Sequence, residues 1–201
     1  MSENSESNIF ETQLWKTIGS RFNAYRRTAR KHTILTYITT ISSIHILLIG
    51  IFQLSTIVEL TTKQSQILSL ISISTAIIIL CYGLIEGGKN YGLQSENYHL
   101  CGKDLNKIYS KLKNINAKER TGKLEVLTTE YSHILDKYTL NHTAVDYKYF
   151  LIQHPKDFPE YANKYSIKAL TALFNYQVID LFFAALFILL PLSLTILTFT
   201  S

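Results

Sequence analysis

Three stretches of the chain contain no Asp, Glu, Lys or Arg: residues 33–58, 64–85 and 181–201, runs of 26, 22 and 21 residues. Nothing else limits the fold so strongly. A helix that crosses ~30 Å of hydrocarbon at 1.5 Å per residue needs ~20 mostly apolar residues, and each run is long enough. Helices in soluble cores seldom run that far without a charge, so a soluble single-core enzyme is excluded as the leading reading. The third run, from Leu181, is almost entirely large apolar side chains, and the second is β-branched through Ile85. The first is the most polar, holding Thr36, Thr39, Thr40, Ser42, Ser43 and His45. It begins too late and runs too long for a cleaved signal peptide.

The charges outside these runs orient them. Of 20 Lys and Arg, six fall in residues 1–32 and 13 in residues 86–180, whereas the link 59–63 holds only Glu59 and Lys63. Basic residues beside spans stay in the cytoplasm. The expected topology therefore has the N-terminus and residues 86–180 in the cytoplasm, with Ser201 outside. Cys81 and Cys101 then face a membrane and a reducing compartment, and no disulfide is expected.

The expected division is a disordered tail at 1–9, a basic amphipathic helix at 10–32 and a two-span hairpin at 33–85. A cytoplasmic helical domain at 86–180 and a third transmembrane helix at 181–201 complete it. Leu14, Trp15, Ile18, Phe22, Tyr25 and Ala29 recur at helical spacing beside Lys16, Arg26, Arg27 and Arg30. Such a helix either lies on an anionic leaflet or packs on the cytoplasmic domain with a solvated basic face. Tyr98, Cys101, Leu105, Ile108, Leu112 and Ile115 form a three-and-four seam, which predicts one rod from the second span to about residue 114. Asn116 to Glu119 reads as a capping box opening a helix with the seam Leu124, Leu127, Tyr131, Ile134, Tyr138, Asn141, Val145 and Tyr149. The two seams predict an antiparallel helical hairpin. Pro155 ends that helix, and Asp157-Phe-Pro-Glu160 reads as a second box opening a helix towards the third span. With no strand alternation, the fold class is all-α.

No HExxH, CxxC, GxSxG, P-loop or GxGxxG pattern occurs. The densest polar cluster is Asn141-His142 with Asp146 and Tyr147, near His133 and Asp136. His142 and Asp146 stand four apart and would share a helix face. No further ligands appear at a metal-binding spacing, so a polar layer in a helical bundle is favoured over catalysis. Catalytic residues, metal and cofactor are all expected to be absent, as is direct nucleic-acid binding.

Within the spans, Thr33, Thr36, Thr40, Ser43 and Leu47 follow one helical stripe, and Ser65, Ser69, Ser72 and Ala76 another. Small and hydroxyl residues let membrane helices pack closely; turned inward in an oligomer, they line a water-filled pore. Gly83, Gly87, Gly88 and Gly92 at the end of the second span fit close packing or a hinge. His45 is the one ionisable residue inside the spans, either functional or a hydrogen-bonded packing residue.

The basic helix, the two-span hairpin and the helices that follow resemble the SLATT family, two-span effectors of bacteria. The carrying segments are Tyr131-Ser-His-Ile-Leu135 and Asn141-His142-xxx-Asp146-Tyr147, similar to the pattern of the branch with an Asn-His-xxx-Asp motif, over roughly residues 10–180. The resemblance implies an inner-membrane effector of anti-phage defence. Its partner would be a nucleotide synthase, a nucleotide sensor or a reverse transcriptase, and its action a pore or other membrane damage that halts or kills the cell. The third apolar run departs from a two-span plan. The resulting expectation is a non-enzymatic homo-oligomer in contact with membrane lipids. The alternative is a membrane anchor that recruits a cytoplasmic defence enzyme.

Overall fold

The computed structural model describes residues 3–55, 59–159, 171 and 174–200. Its helices are α1 Glu3–Leu54, α2 Thr62–Gly87, α3 Tyr91–Asn114, α4 Ala117–Lys137 and α5 Ala144–Gln153. A π-helical turn, Phe174–Val178, leads into α6, Ile179–Thr200. No strand occurs among the described residues, and the all-α expectation holds. The chain divides into two compact units: Met1–Ala29 with Gly92–Gln177, and Arg30–Tyr91 with Val178–Ser201.

The first unit is built around the N-terminal half of α1. Phe10, Leu14 and Ile18 pack against Cys101, Leu105, Ile108 and Leu112 of α3 and Leu127 and Tyr131 of α4. The predicted α3 seam is thus the core: Leu105, Ile108 and Leu112 are fully buried, each contributing ~1.5–3 kcal/mol relative to exposure. The opposite side of α1 carries α5, where Trp15 meets the rings of Phe150 and His154 at 4.9 and 4.8 Å. Two glycines permit this double layering. A Cβ on Gly19 would overlap the Phe150 ring, and one on Gly102 would stand 3.2 Å from Phe22.

Four expectations are corrected here. Residues 3–9 belong to α1 instead of a disordered tail; Ser7 and Phe10 are buried, and Phe10 meets Tyr131 edge-on. The helix packs on the rest of its unit, as the second reading of the basic segment had it, but its basic face is only partly solvated: Arg26 is exposed, Lys16, Arg27 and Arg30 are half-buried, and Arg21 is 3 % exposed. The rod expected to continue from α2 is broken at 88–90, where Asn90 takes φ 51°. Asparagine tolerates that left-handed conformation better than most residues, and the Glu86 carboxylate pins the turn by accepting from Lys89 Nζ and from the Tyr91 hydroxyl at 2.8 Å. The second seam splits into α4 and α5, because Thr143 and Asp146 start a new helix inside it. The Asp146 carboxylate accepts from the Thr143 N–H and hydroxyl at 2.9 and 2.8 Å. Asn116 does precede α4, yet its side chain makes no capping bond and Glu119 pairs with Lys123 instead. α5 stops at Gln153, two residues before Pro155; residues 160–170, in the helix expected from the second box, lie outside the described residues.

The second unit holds the C-terminal half of α1, α2 and α6, the three helices long and apolar enough to cross a membrane. Ile38, Ser42 and Ile49 of α1 face inward, with Leu68, Thr75 and Ile79 of α2. Its outer surface is a continuous apolar coat, including Leu47 (65 % exposed), Leu70, Leu84 and Phe182. Such a coat is foreign to a water-soluble surface and normal against lipid. α2 opens with a capping box that the sequence reading missed: Gln64 N–H donates to Thr61 Oγ1, and Gln64 Oε1 accepts from the Thr61 N–H.

Gly19→Ala is expected to lower the thermal midpoint of the detergent-solubilised chain, since overpacking costs ~1–3 kcal/mol. Gly122→Ala, in α4 with nothing within 4 Å of the added Cβ, should instead stabilise by ~0.5–1 kcal/mol through helix propensity. Equal effects of the two in circular-dichroism melts would refute the close-packing role of Gly19.

Candidate functional site

The polar residues of α1 that face α5 form one hydrogen-bonded centre. Asp146 is fully buried and accepts from Arg27 Nε at 2.7 Å and from its terminal nitrogen at 3.0 Å, the planar fork that guanidinium and carboxylate share. The same Arg27 nitrogen donates to Thr143 Oγ1 at 3.3 Å. One turn earlier, Asn23 donates to the Asp146 carbonyl and to Gln153 Oε1 at 3.3 and 3.1 Å. The Tyr176 hydroxyl donates to the Asn23 carbonyl at 2.8 Å, and the Tyr176 ring stacks on Tyr149. Arg21 donates to the Leu140 carbonyl, and Tyr98 to the Asn141 carbonyl at 3.0 Å. Every partner of this network is a fixed backbone or side-chain group of the unit itself.

The five residues of the sequence motif therefore separate. Tyr131 is a core residue whose hydroxyl meets Thr17 Oγ1 at 3.2 Å, and Leu135 packs beside it. Asn141 has an exposed side chain and serves through its carbonyl. Asp146 is committed to Arg27 and to the start of α5. His142 lies in the loop before α5, so the expected shared helix face with Asp146 does not exist. Its Nδ1 is buried without a hydrogen-bond partner among the described residues, and burial holds its pKa below the ordinary value, the charge of Arg21 pressing the same way. His142 and Tyr147 border an open cleft of roughly 610 Å³ with Thr12, Lys16 and Ser20 of α1. Among the described residues no three His, Cys, Asp or Glu side chains converge as metal ligands.

Sequence reasoning passed over Arg21, Asn23, Arg27, Gln153 and Tyr176. Arg21 carried a readable signal, because it stands seven residues after Leu14 and three after Ile18, on the apolar stripe itself. Arg27 sits off that stripe, and nothing local marks it as buried.

A second charge network ties α3 to the end of α4. Asp104 accepts from Lys107 at 2.8 Å, Tyr138 at 2.8 Å and Lys137 at 3.2 Å. The Lys107 contact above all brings its pKa down to about 2.

The span residues divide into two groups. His45 Nε2 and Thr195 Oγ1 are 3.1 Å apart, joining α1 to α6. Thr195 Oγ1 also lies 3.0 Å from the Pro191 carbonyl one turn back. Ser69 accepts from Gln53 at 2.9 Å, while Gln53 also donates to the Ser65 carbonyl at 2.8 Å; Ser72 is half-buried. Thr36, Thr40 and Ser43 are exposed, on the opposite side of α1 from Ile38, Ser42 and Ile49. At the other end of α2, a Cβ on Gly83 would touch only Thr39 at 3.9 Å and one on Gly87 would meet nothing. Gly88 caps α2 and Gly92 lies in the first turn of α3.

An all-helical chain with three lipid-compatible helices and a bundle fixed by internal polar contacts is a helical membrane protein. The chain belongs to the SMODS and SLOG-associating 2TM effector domain family 5, whose model matches residues 3–197 and so takes in both units. No curated protein and no solved structure matches it.

Removing one partner of a buried ion pair leaves an uncompensated charge and costs ~3–5 kcal/mol. Asp146→Ala is expected to unfold the first unit, whereas the Arg27→Met, Asp146→Leu double variant should recover most of the thermal midpoint. His142 gives a pH dependence. With its folded pKa below the unfolded value of about 6.5, the unfolded chain takes the proton first as pH falls through that value. Wild-type stability should then decline from pH 7.5 to 5.5 relative to His142→Gln, at up to about 1.4 kcal/mol per pH unit. Parallel melting curves for the two proteins would remove His142 from this account.

Proposed function

We propose that this chain is a non-enzymatic effector of a bacterial anti-phage defence system, resident in the inner membrane. The first unit and the N-terminus lie in the cytoplasm, and copies of the chain associate through the spans. Triggered by a partner protein or a nucleotide signal, the assembly opens a path for ions, and the infected cell stops growing or dies. Membership of a membrane effector family supports the setting. The buried Arg27–Asp146 pair supports a structural role for the one cluster that could have been catalytic.

The observation that carries the pore reading is the direction of the hydroxyl stripe. Successive residues of a helix turn by 100°, so Thr36, Thr40 and Ser43 share a face opposite the inward residues. All three are exposed. On a surface otherwise given over to Leu, Ile and Phe, a hydroxyl face is the natural contact for a second copy. One hairpin cannot enclose water while its own backbone groups are satisfied, so a conducting path needs several copies.

In cells carrying the native trigger, a voltage-sensitive dye should report depolarisation before lysis on phage challenge. Leu replacements at Thr36, Thr40 and Ser43 should abolish that signal while leaving protein levels and helix content unchanged. Protection with an intact potential would instead assign the chain to the anchoring role, with a cytoplasmic enzyme recruited to it.

A further inference from the structure

Three of the five charged residues that bound the charge-free runs come together at one end of the second unit. Lys31 precedes the first run, Glu86 follows the second and Asp180 precedes the third. All three line one cavity of roughly 350 Å³. At the far end of the same helices, Gln64 donates to the Thr198 carbonyl at 3.2 Å. The 18 steps from Asp180 to Thr198 rise about 27 Å, close to the thickness of bilayer hydrocarbon. On the reading that these helices span a membrane, on which this inference rests, the cavity sits at the depth of the phospholipid headgroups.

Its chemistry is specific. Lys31 and Lys89 supply two positive charges, and Glu86 and Asp180 two negative ones, so the lining is neutral overall and strongly polar in both senses. Asp180 Oδ1 pairs with Lys31 at 3.1 Å, but Oδ2 is buried without a hydrogen-bond donor among the described residues. A buried carboxylate oxygen left in that state is costly. Around it stand aromatic walls: Tyr82 and Phe187 with ring centroids 4.6 Å apart, and Tyr91, over which the Lys31 ammonium already sits at 5.7 Å. Aromatic faces beside a carboxylate are the usual receptor for an organic ammonium. Ile34 and Leu35 line the membrane-ward side and continue into the apolar coat.

We propose that this cavity holds the headgroup of a zwitterionic phospholipid bearing a primary ammonium, of the phosphatidylethanolamine kind. The ammonium donates to Asp180 Oδ2 against the aromatic walls, and the phosphodiester faces Lys31 and Lys89. The acyl chains leave over Ile34 and Leu35. An anionic lipid fits poorly, because it brings a phosphate to two carboxylates with no ammonium to answer them. The occupied site would tie the ends of all three long helices to the composition of the bilayer.

The full-length chain would be reconstituted in nanodiscs of equal phosphatidylethanolamine and phosphatidylglycerol, and its retained lipid identified by native mass spectrometry. Phosphatidylethanolamine should be retained about tenfold over phosphatidylglycerol, an expected difference of about 1.4 kcal/mol. Asp180→Asn should bring the ratio close to one. Phe187→Leu, a milder change checked for unaltered helix content, should reduce retention several-fold and keeps the test open if the first variant does not fold. Equal retention of the two lipids, or a preference that survives both substitutions, overturns the proposal. Displacement by water-soluble phosphoethanolamine as effective as by the lipid would overturn the membrane source of the ligand. Release of the chain from membranes by alkaline carbonate would sink the spanning reading itself; firm retention without lipid preference would sink only the headgroup site.

Discussion

The buried Arg27–Asp146 pair is the interaction on which the first unit turns. Removing two charges from water costs several kcal/mol for each ion, and the fork geometry at 2.7 and 3.0 Å regains it only because the remaining acceptor positions are also filled. Thr143 fills them, and in doing so begins α5. The pair therefore fixes where α5 starts and which turn of α1 it lies against. Asn23 and Gln153 repeat the same specification one α5 length away. Apolar contacts such as Trp15 on Phe150 supply adhesion, but they would tolerate a slip that the ion pair forbids. Asp146 is thereby committed to a structural role.

In the second unit the governing constraint is that polar groups inside hydrocarbon must find partners within the protein. Three polar side chains there are met across a helix contact, Gln53 by α2, Gln64 by α6 and His45 by Thr195, whereas the buried Ser42 hydroxyl makes no hydrogen bond among the described residues. These bonds sit at different depths and set the register of three helices whose apolar surfaces would otherwise slide. That is why His45, the residue that stands out in a charge-free run, is accounted for by packing. Its Nε2 is engaged with Thr195.

Periodicity revealed the elements that bury a single apolar face. The α3 seam from Tyr98 to Leu112 is the observed core, and the three charge-free runs are the three long apolar helices. What escaped were residues buried on a second face. α1 is enclosed on two sides, so Asn23 and Thr28 are as buried as Leu14 and the Arg27 side chain is only 13 % exposed, and no periodic rule separates them from solvent-facing polar residues. The breaks at 88–90 and 138–143 were hidden for a different reason. A three-and-four spacing resumes beyond each, at Tyr98 and at Val145, while the signals that end the helices are single residues, Asn90 in a left-handed conformation and the Thr143–Asp146 start. Close approach was misplaced as well. The glycines near the end of α2 attract attention by their spacing, yet Gly19 and Gly102, unremarkable in sequence, are the ones a methyl group would disturb most.

The outward hydroxyl face also bears on how a lethal pore could stay closed. A threonine in a membrane helix can satisfy its own hydroxyl by donating to the carbonyl four residues back, as Thr36 does to His32 at 3.0 Å. Such a residue meets lipid without an unsatisfied group, so the separated chain is not forced to associate. Contacts between hydroxyl faces of neighbouring helices are worth only ~0.6 kcal/mol each on average. On the proposed pore reading, three or four of them per chain would set a weak association that a modest change in effective concentration or geometry reverses. A stripe of Asn or Asp would have driven permanent assembly, and a stripe of Leu would have offered water no footing. For an effector that must be harmless until triggered, threonine and serine are the side chains that leave both states within reach.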